Sequence, residues 1–152
     1  MIKPDTLENQ VRSIYIGIGS NLGNRKKNIE KAKFKLIQNN VQIIKSSSYF
    51  ESLSWPNPRN PKFLNIVLLI RTDLRPLELL KKCKNIEKYI GRKKNLKNSP
   101  RECDIDVIDY NKIVIINKIS LPHPRMHKRN FVLLPLFEIN KNWSHPISKH
   151  HI

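Results

Sequence analysis

The chain has 152 residues and a formal charge of +17, with 39% of its residues hydrophobic and 27% charged. That length and apolar content suit a single domain with one core, and no apolar run approaches the ~18 residues that span a bilayer. Cys83 and Cys103 do not form a CxxC pair and cannot supply a zinc site alone, so they read as two reduced thiols packed as small hydrophobes. The charge predicts attraction to polyanions, whether nucleic acid, an acidic membrane surface or nucleotide phosphates. It is equally explained by a composition rich in Lys, Asn and Ile, so it does not decide function. Met1 to Gln10 is polar and carries no signal-peptide core. The expectation is a soluble, cytoplasmic protein.

Residues 1–12 read as a polar lead-in. Ser13 to Ser20 (SIYIGIGS) is apolar and β-rich, which predicts a buried strand kept flat on one side by Gly17 and Gly19. SNLGN reads as a strand-to-helix turn, with Asn24 a cap for a helix that runs through Gln38 on the apolar spacing of Ile29, Ala32, Leu36 and Ile37. Val41 to Phe50 is predicted as a second strand. Pro56, Pro58 and Pro61 make Glu51 to Lys62 an irregular loop. Phe63 to Thr72 is a third strand. Asp73 as cap and Pro76 in the first turn start a second helix, whose apolar face is Leu77, Leu80, Cys83 and Ile86 and which Gly91 ends. Arg92 to Arg101 is a basic loop. Cys103 to Tyr110 is a fourth strand, Ile113 to Ile116 a short fifth, and Arg129 to Ile139 a short helix. About 140–152 is an irregular tail, with Ser148 to Ile152 disordered. The order β-α-β-β-α-β predicts an α+β fold, a ferredoxin-like sandwich with an antiparallel sheet and additional short elements, forming one domain over residues 1–152.

Three clusters carry candidate chemistry. Asp104 and Asp106 stand at i and i+2 of a strand, so both project from one face about 6–7 Å apart. Such a pair either collects hard divalent cations able to bridge nucleotide phosphates or forms a solvated, salt-bridged strand face. Arg101 and the loop residues Arg92, Lys93, Lys94 and Lys97 place cations beside it. In PHPRMHKRNF, His123 is either a phosphate or ribose ligand or a surface turn histidine, while Arg129 adds a guanidinium and Phe131 an aromatic face. Asn65, at the opening of the third strand, suits either the polar edge of a heterocycle or a backbone partner. Phe50 and Trp55 are either further apolar wall or core. GIGSNLGN lacks both the P-loop spacing and the third glycine of a dinucleotide fingerprint.

Taken together, IGIGSNLGNR, SSSYFES…PKFLNIV, PRECDIDVIDYN and LPHPRMHKRNFVLLPLFEI, in that order over Ile14 to Ile139, resemble the 6-hydroxymethyl-7,8-dihydropterin pyrophosphokinase family. The resemblance implies transfer of pyrophosphate from ATP to the pterin alcohol, with AMP released, in tetrahydrofolate synthesis. It implies two Mg²⁺ ions on Asp104 and Asp106, and catalytic roles for Arg92 and Arg101. Glu87, Lys94, His123 and Arg129 match nucleotide positions, together with the two arginines. Ser52, Leu53, Trp55, Phe63, Asn65 and Phe131 match the pterin pocket. It further implies a ferredoxin-like fold and a monomer, with no nucleic-acid or membrane partner. Departures from the family pattern are Asn98-Ser99 where Trp-Gly is usual, Lys94 for a second loop arginine, Pro124 for an aromatic, and Phe63 for a tyrosine. A basic RNA-binding module on the same fold and a catalytically weakened ATP-binding relative are the competing expectations.

Overall fold

Alternation along the first strand decides which side of the sheet is filled and which is left open. In β1 (Ile14–Ser20), Ile14, Ile16 and Ile18 point into one core, while Tyr15, Gly17 and Gly19 point the other way. The computed structural model describes residues 13–93, 97–116 and 119–152. The remaining elements are α1 (Arg25–Gln38), β2 (Val41–Ser46), β3 (Phe50–Ser52), β4 (Phe63–Thr72), α2 (Pro76–Ile90), β5 (Asp104–Tyr110), β6 (Ile115–Ile116), β7 (Ser120–Leu121), a 3₁₀ turn at Met126–Lys128 and α3 (Asn130–Ile139). The main sheet runs β2-β4-β1-β5 with every pairing antiparallel, and β3 continues β2's role along the edge of β4. This is the expected ferredoxin-like order.

The α1 and α2 helices cover one face through Ile29, Ala32, Leu36, Leu79, Cys83 and Ile86, which pack on Ile16, Ile18, Ile66, Leu68, Ile105 and Val107. Asn24 caps α1 by accepting the Lys27 N–H at 3.1 Å, as expected. On the opposite face, Tyr15, Val67 and Ile108 meet Met126, Val132, Leu136 and Trp143. That second layer covers only part of the sheet. Both thiols are buried, as expected, and burial pushes Cys83 up to about 12.

Four expectations are corrected. The strand predicted over Val41 to Phe50 is interrupted at 47–49. There the buried Ser47 accepts the Val67 N–H on its hydroxyl at 2.9 Å, and Ser48 donates its backbone N–H to Glu138, so the chain leaves the ladder. Asp73 does not cap α2: the N-cap is Arg75, whose N–H donates to the Glu78 carboxylate at 3.1 Å, with Pro76 at the first position. The apolar face of α2 is Leu79, Cys83 and Ile86, with Leu77 41% exposed, while for Trp55, open between wall and core, 65% exposure excludes core. Ser148 to Ile152 is held rather than disordered, since the Ile152 N–H donates to the Trp143 carbonyl at 3.2 Å and Ser144 bridges His151.

The tail is anchored by a buried polar node. A bulge where β5 passes Tyr15 and Ile16 shifts the register, so Asp109 lies on the same face as Asp106 and Ile108. Asp109 is 0% exposed and accepts from Trp143 Nε1 at 2.8 Å and from the Lys112 N–H at 3.0 Å. Replacing Trp143 by Phe keeps the ring but leaves that carboxylate short of a donor. Thermal or denaturant unfolding should register a loss of about 1–3 kcal/mol.

Candidate active site

The open half of the second sheet face forms the floor of a cavity of about 530 Å³. Its shape follows from register. Gly19 pairs with Asn65 on one side and Asp104 on the other, and Gly17 pairs with Val67 and Asp106. Two glycines in the central strand therefore leave a trough between an amide-bearing strand and an acid-bearing one, roughly 10 Å across two strand spacings. A Cβ at Gly19 would sit 3.0 Å from Asn65 Oδ1 and 3.3 Å from Phe63, so the trough exists only because the residue is glycine.

At one end stand the acids and their cations. Asp104 accepts from Arg92 Nη1 at 2.9 Å and from Arg101 Nη2 at 3.1 Å. Burial would raise its pKa, but the two guanidiniums outweigh burial and hold the carboxyl below its ordinary range. Asp106 has weaker compensation: Arg129 Nη1 lies 3.7 Å away and His123 Nε2 4.0 Å away. Burial, then the neighbouring Asp104 charge, pushes Asp106 up to about 6. Burial and the nearby Arg129 and Arg125 bring His123 down to about 4, so near neutral pH it is an uncharged imidazole. Its Nδ1 accepts the Arg125 N–H at 3.2 Å, which leaves the ring proton on Nε2, facing the cavity. Arg101 Nε is buried without a hydrogen-bond acceptor among the described residues. Arg101 itself lines the cavity, and an unpaired guanidinium donor beside it is a candidate partner for an anionic oxygen.

At the other end, Asn65 Nδ2 donates to the Phe50 carbonyl at 3.1 Å and to Ser52 Oγ at 2.9 Å. Its Oδ1 accepts nothing from the described residues and is free to take a donor from the cavity. Phe63 and Phe131 line the space, with the Arg101 guanidinium 5.1 Å from the Phe63 ring centre and Arg129 5.4 Å from that of Phe131. Each aromatic wall is thus packed against one of the cations.

Eleven of the fourteen residues given roles by the family resemblance line this one cavity: Leu53, Trp55, Phe63, Asn65, Arg92, Arg101, Asp104, Asp106, His123, Arg129 and Phe131. Ser52 sits behind Asn65 and orients it. Glu87 lies beneath the site: it is 2% exposed, accepts the Ile105 N–H at 2.8 Å and pairs with Arg92 at 3.0 Å. Lys94 lies outside the described residues. Sequence reasoning passed over Lys84, Arg125 and Lys128, which also line the cavity. Arg125 and Lys128 stand inside the same PHPRMHKRN run as His123, and Lys84 is one helical turn before Glu87, so proximity to chosen residues was the available signal.

A family model described as 7,8-dihydro-6-hydroxymethylpterin-pyrophosphokinase (HPPK) matches residues 15–141. An Aquifex aeolicus protein named 2-amino-4-hydroxy-6-hydroxymethyldihydropteridine pyrophosphokinase is 45% identical over 136 residues, covering 89% of this chain and 84% of that protein. The Bacillus subtilis protein of the same name is 38% identical over 127 residues, covering 82% and 76%. The chain spans only 18% of the Pneumocystis carinii folic acid synthesis protein fol1, to which it is 38% identical. Among solved structures, a Plasmodium falciparum HPPK-DHPS with pteroate superposes with a TM-score of 0.74 at 14% identity, over 93% of this chain and 41% of that one, a likeness of fold. The chain belongs to the 7,8-dihydro-6-hydroxymethylpterin-pyrophosphokinase family.

Proposed function

We infer that this chain transfers the terminal diphosphoryl group of ATP to the hydroxymethyl oxygen of 6-hydroxymethyl-7,8-dihydropterin, releasing AMP, as a step of folate synthesis. The observation that carries the reading is the division of a single cavity: two carboxylates among cations at one end, and an amide acceptor with two aromatic walls at the other.

The flat bicycle lies between Phe63 and Phe131, with Leu53 and Trp55 at the exposed mouth and Asn65 Oδ1 accepting from its polar edge. The hydroxyl oxygen attacks the β-phosphorus as the bond to the α-phosphate's bridging oxygen breaks; AMP leaves with that oxygen, and the hydroxyl proton passes to solvent. Arg101 uses its unpaired Nε, and Arg92 and Arg129 their guanidiniums, against charge on the phosphates. His123, neutral, donates from Nε2 to a phosphate oxygen. The reading assigns no general base to the hydroxyl among the described residues, so positioning dominates. Glu87 aims Arg92 from below.

Asp104 and Asp106 fit Mg²⁺. They are hard oxygen donors on one face, the second under-compensated, and the described residues hold no larger ligand cluster that would displace phosphate and water from the ion. Two ions held there would neutralise the polyphosphate and polarise the β-phosphorus when bound. The reading includes a monomer acting in the cytoplasm. No helix among the described residues is long and apolar enough to cross a membrane. The RNA-binding reading is disfavoured because the central strand offers Gly17 and Gly19 to the open face instead of stacking aromatics.

The test is AMP formation from ATP, Mg²⁺ and 6-hydroxymethyl-7,8-dihydropterin, followed chromatographically. AMP and the pterin diphosphate should appear in equal amounts. ADP in place of AMP, or no turnover, removes the reading, and ATP binding without turnover would mark a weakened relative.

A further inference from the structure

Asn21, the first residue after β1, is 3% exposed although its side chain is an amide. Its Oδ1 accepts the Arg101 N–H at 2.8 Å, and its own N–H donates to the Arg101 carbonyl at 3.1 Å, so two bonds clamp the Arg101 backbone. Its Nδ2 donates to Ser54 Oγ at 3.1 Å and to the Pro61 carbonyl at 3.0 Å. Ser54 Oγ donates to the same carbonyl. Ser54 and Pro61 close the loop that presents Trp55 and leads into Phe63. One side chain therefore ties together segments 33, 40 and 80 residues away.

The chemistry needs an amide of this length. Asp has the acceptor but no donors, Leu has neither, and Gln sets the same groups one methylene further out. The turn after β1 makes no such demand, because Asn24 already caps α1. A buried amide with both ends engaged is a rigid link between the two walls it touches.

We propose that Asn21 is a positioning residue for the transfer reaction, fixing the Arg101 wall and the pterin-loop wall of the cavity relative to each other. The role rests on the reaction inferred above. Asn21 does not line the cavity. It sets the distance between the group that steadies the phosphates and the pocket that holds the attacking alcohol, and a misplacement of about 1 Å there can cost roughly 10²-fold in rate.

The experiment compares wild type with Asn21→Ala. Titration with a non-hydrolysable ATP analogue and Mg²⁺ counts competent sites, and single-turnover AMP release gives the rate per competent site. That rate should fall about 10²-fold in the variant, with KM for the pterin raised. A loss of competent sites with the per-site rate unchanged would mean a purely structural role and overturns the proposal, as does a wild-type rate. If Asn21→Ala does not fold, Ser54→Ala keeps the Arg101 clamp and removes one acceptor. It should raise KM for the pterin about fivefold with KM for ATP unchanged, and equal KM values for the pterin overturn the proposal. A wild-type control that releases no AMP would instead sink the transfer reaction, and the positioning role with it.

Discussion

Asp106→Asn is expected to lose AMP formation by about 10³-fold or more while unfolding no earlier than the wild-type protein. The two halves of that result have one cause. Burial and the Asp104 charge push Asp106 up to about 6, so its ionised form is held against a local penalty. Its nearest compensating groups are Arg129 at 3.7 Å and a histidine that is neutral at pH 7. Removing the charge relieves that penalty, by about 1 kcal/mol once partial exposure of the side chain is allowed for. Folding raises this carboxyl from 3.8 to about 6, so the native state keeps its proton longer than the unfolded chain does. Wild-type stability therefore falls as pH rises from about 4 to about 6, and the variant should lack that slope. Asp104→Asn behaves differently. It also stops turnover, but it strips Arg101 of its carboxylate, leaves Arg92 with Glu87 alone, and costs about 2 kcal/mol of stability. Thermal unfolding across pH, beside the AMP assay and a titration of nucleotide with Mg²⁺, separates the two. Activity in Asp106→Asn within tenfold of wild type would end its assignment to the reacting centre.

That contrast also marks how far the sequence could be read. Strand alternation made the acid pair legible, because i and i+2 must share a face, and it made the flat side of SIYIGIGS legible for the same reason. What alternation cannot supply is register. That Gly19 lies between Asn65 and Asp104, and so turns two separate observations into one trough, depends on pairings 46 and 85 positions apart along the chain. Asn21 reads only as part of a turn because its partners are equally remote. Asp109 shows a sharper limit: a bulge reverses its parity, so a carboxylate that strict alternation would set on the helix-covered face instead seals the tail through Trp143. The break at Ser47 has a similar origin, since a side-chain hydroxyl replaces a ladder partner that no local pattern announces. Elements whose determinants are local fared better. The Asn24 cap, Pro76 at a helix start and the Gly91 terminus, with φ +127, stand where sequence put them.

Arg101→Lys keeps the charge and should still lower the rate by about 10²–10³-fold. The reason lies in what one guanidinium does at once. Nη2 donates to Asp104 at 3.1 Å, Nη1 donates to the Ser99 carbonyl at 3.2 Å, the plane packs 5.1 Å from the Phe63 ring centre, and Nε is left buried without an acceptor among the described residues. Two donors fix the group to the acid pair and the loop, one face supports the aromatic wall, and in the proposed reaction the remaining donor would serve a phosphate oxygen. An ammonium on a flexible stem cannot divide itself this way. It will stay with Asp104, the strongest local anion, leaving the phosphate unserved and the Phe63 ring unsupported. The loss should therefore appear in kcat, where charge develops, with a smaller rise in KM for the pterin through Phe63. Steady-state kinetics in both substrates measure the split. A variant with wild-type kcat and a raised KM for ATP alone would mean that Arg101 contributes only charge, and that its fork and its unpaired Nε play no part in the transfer.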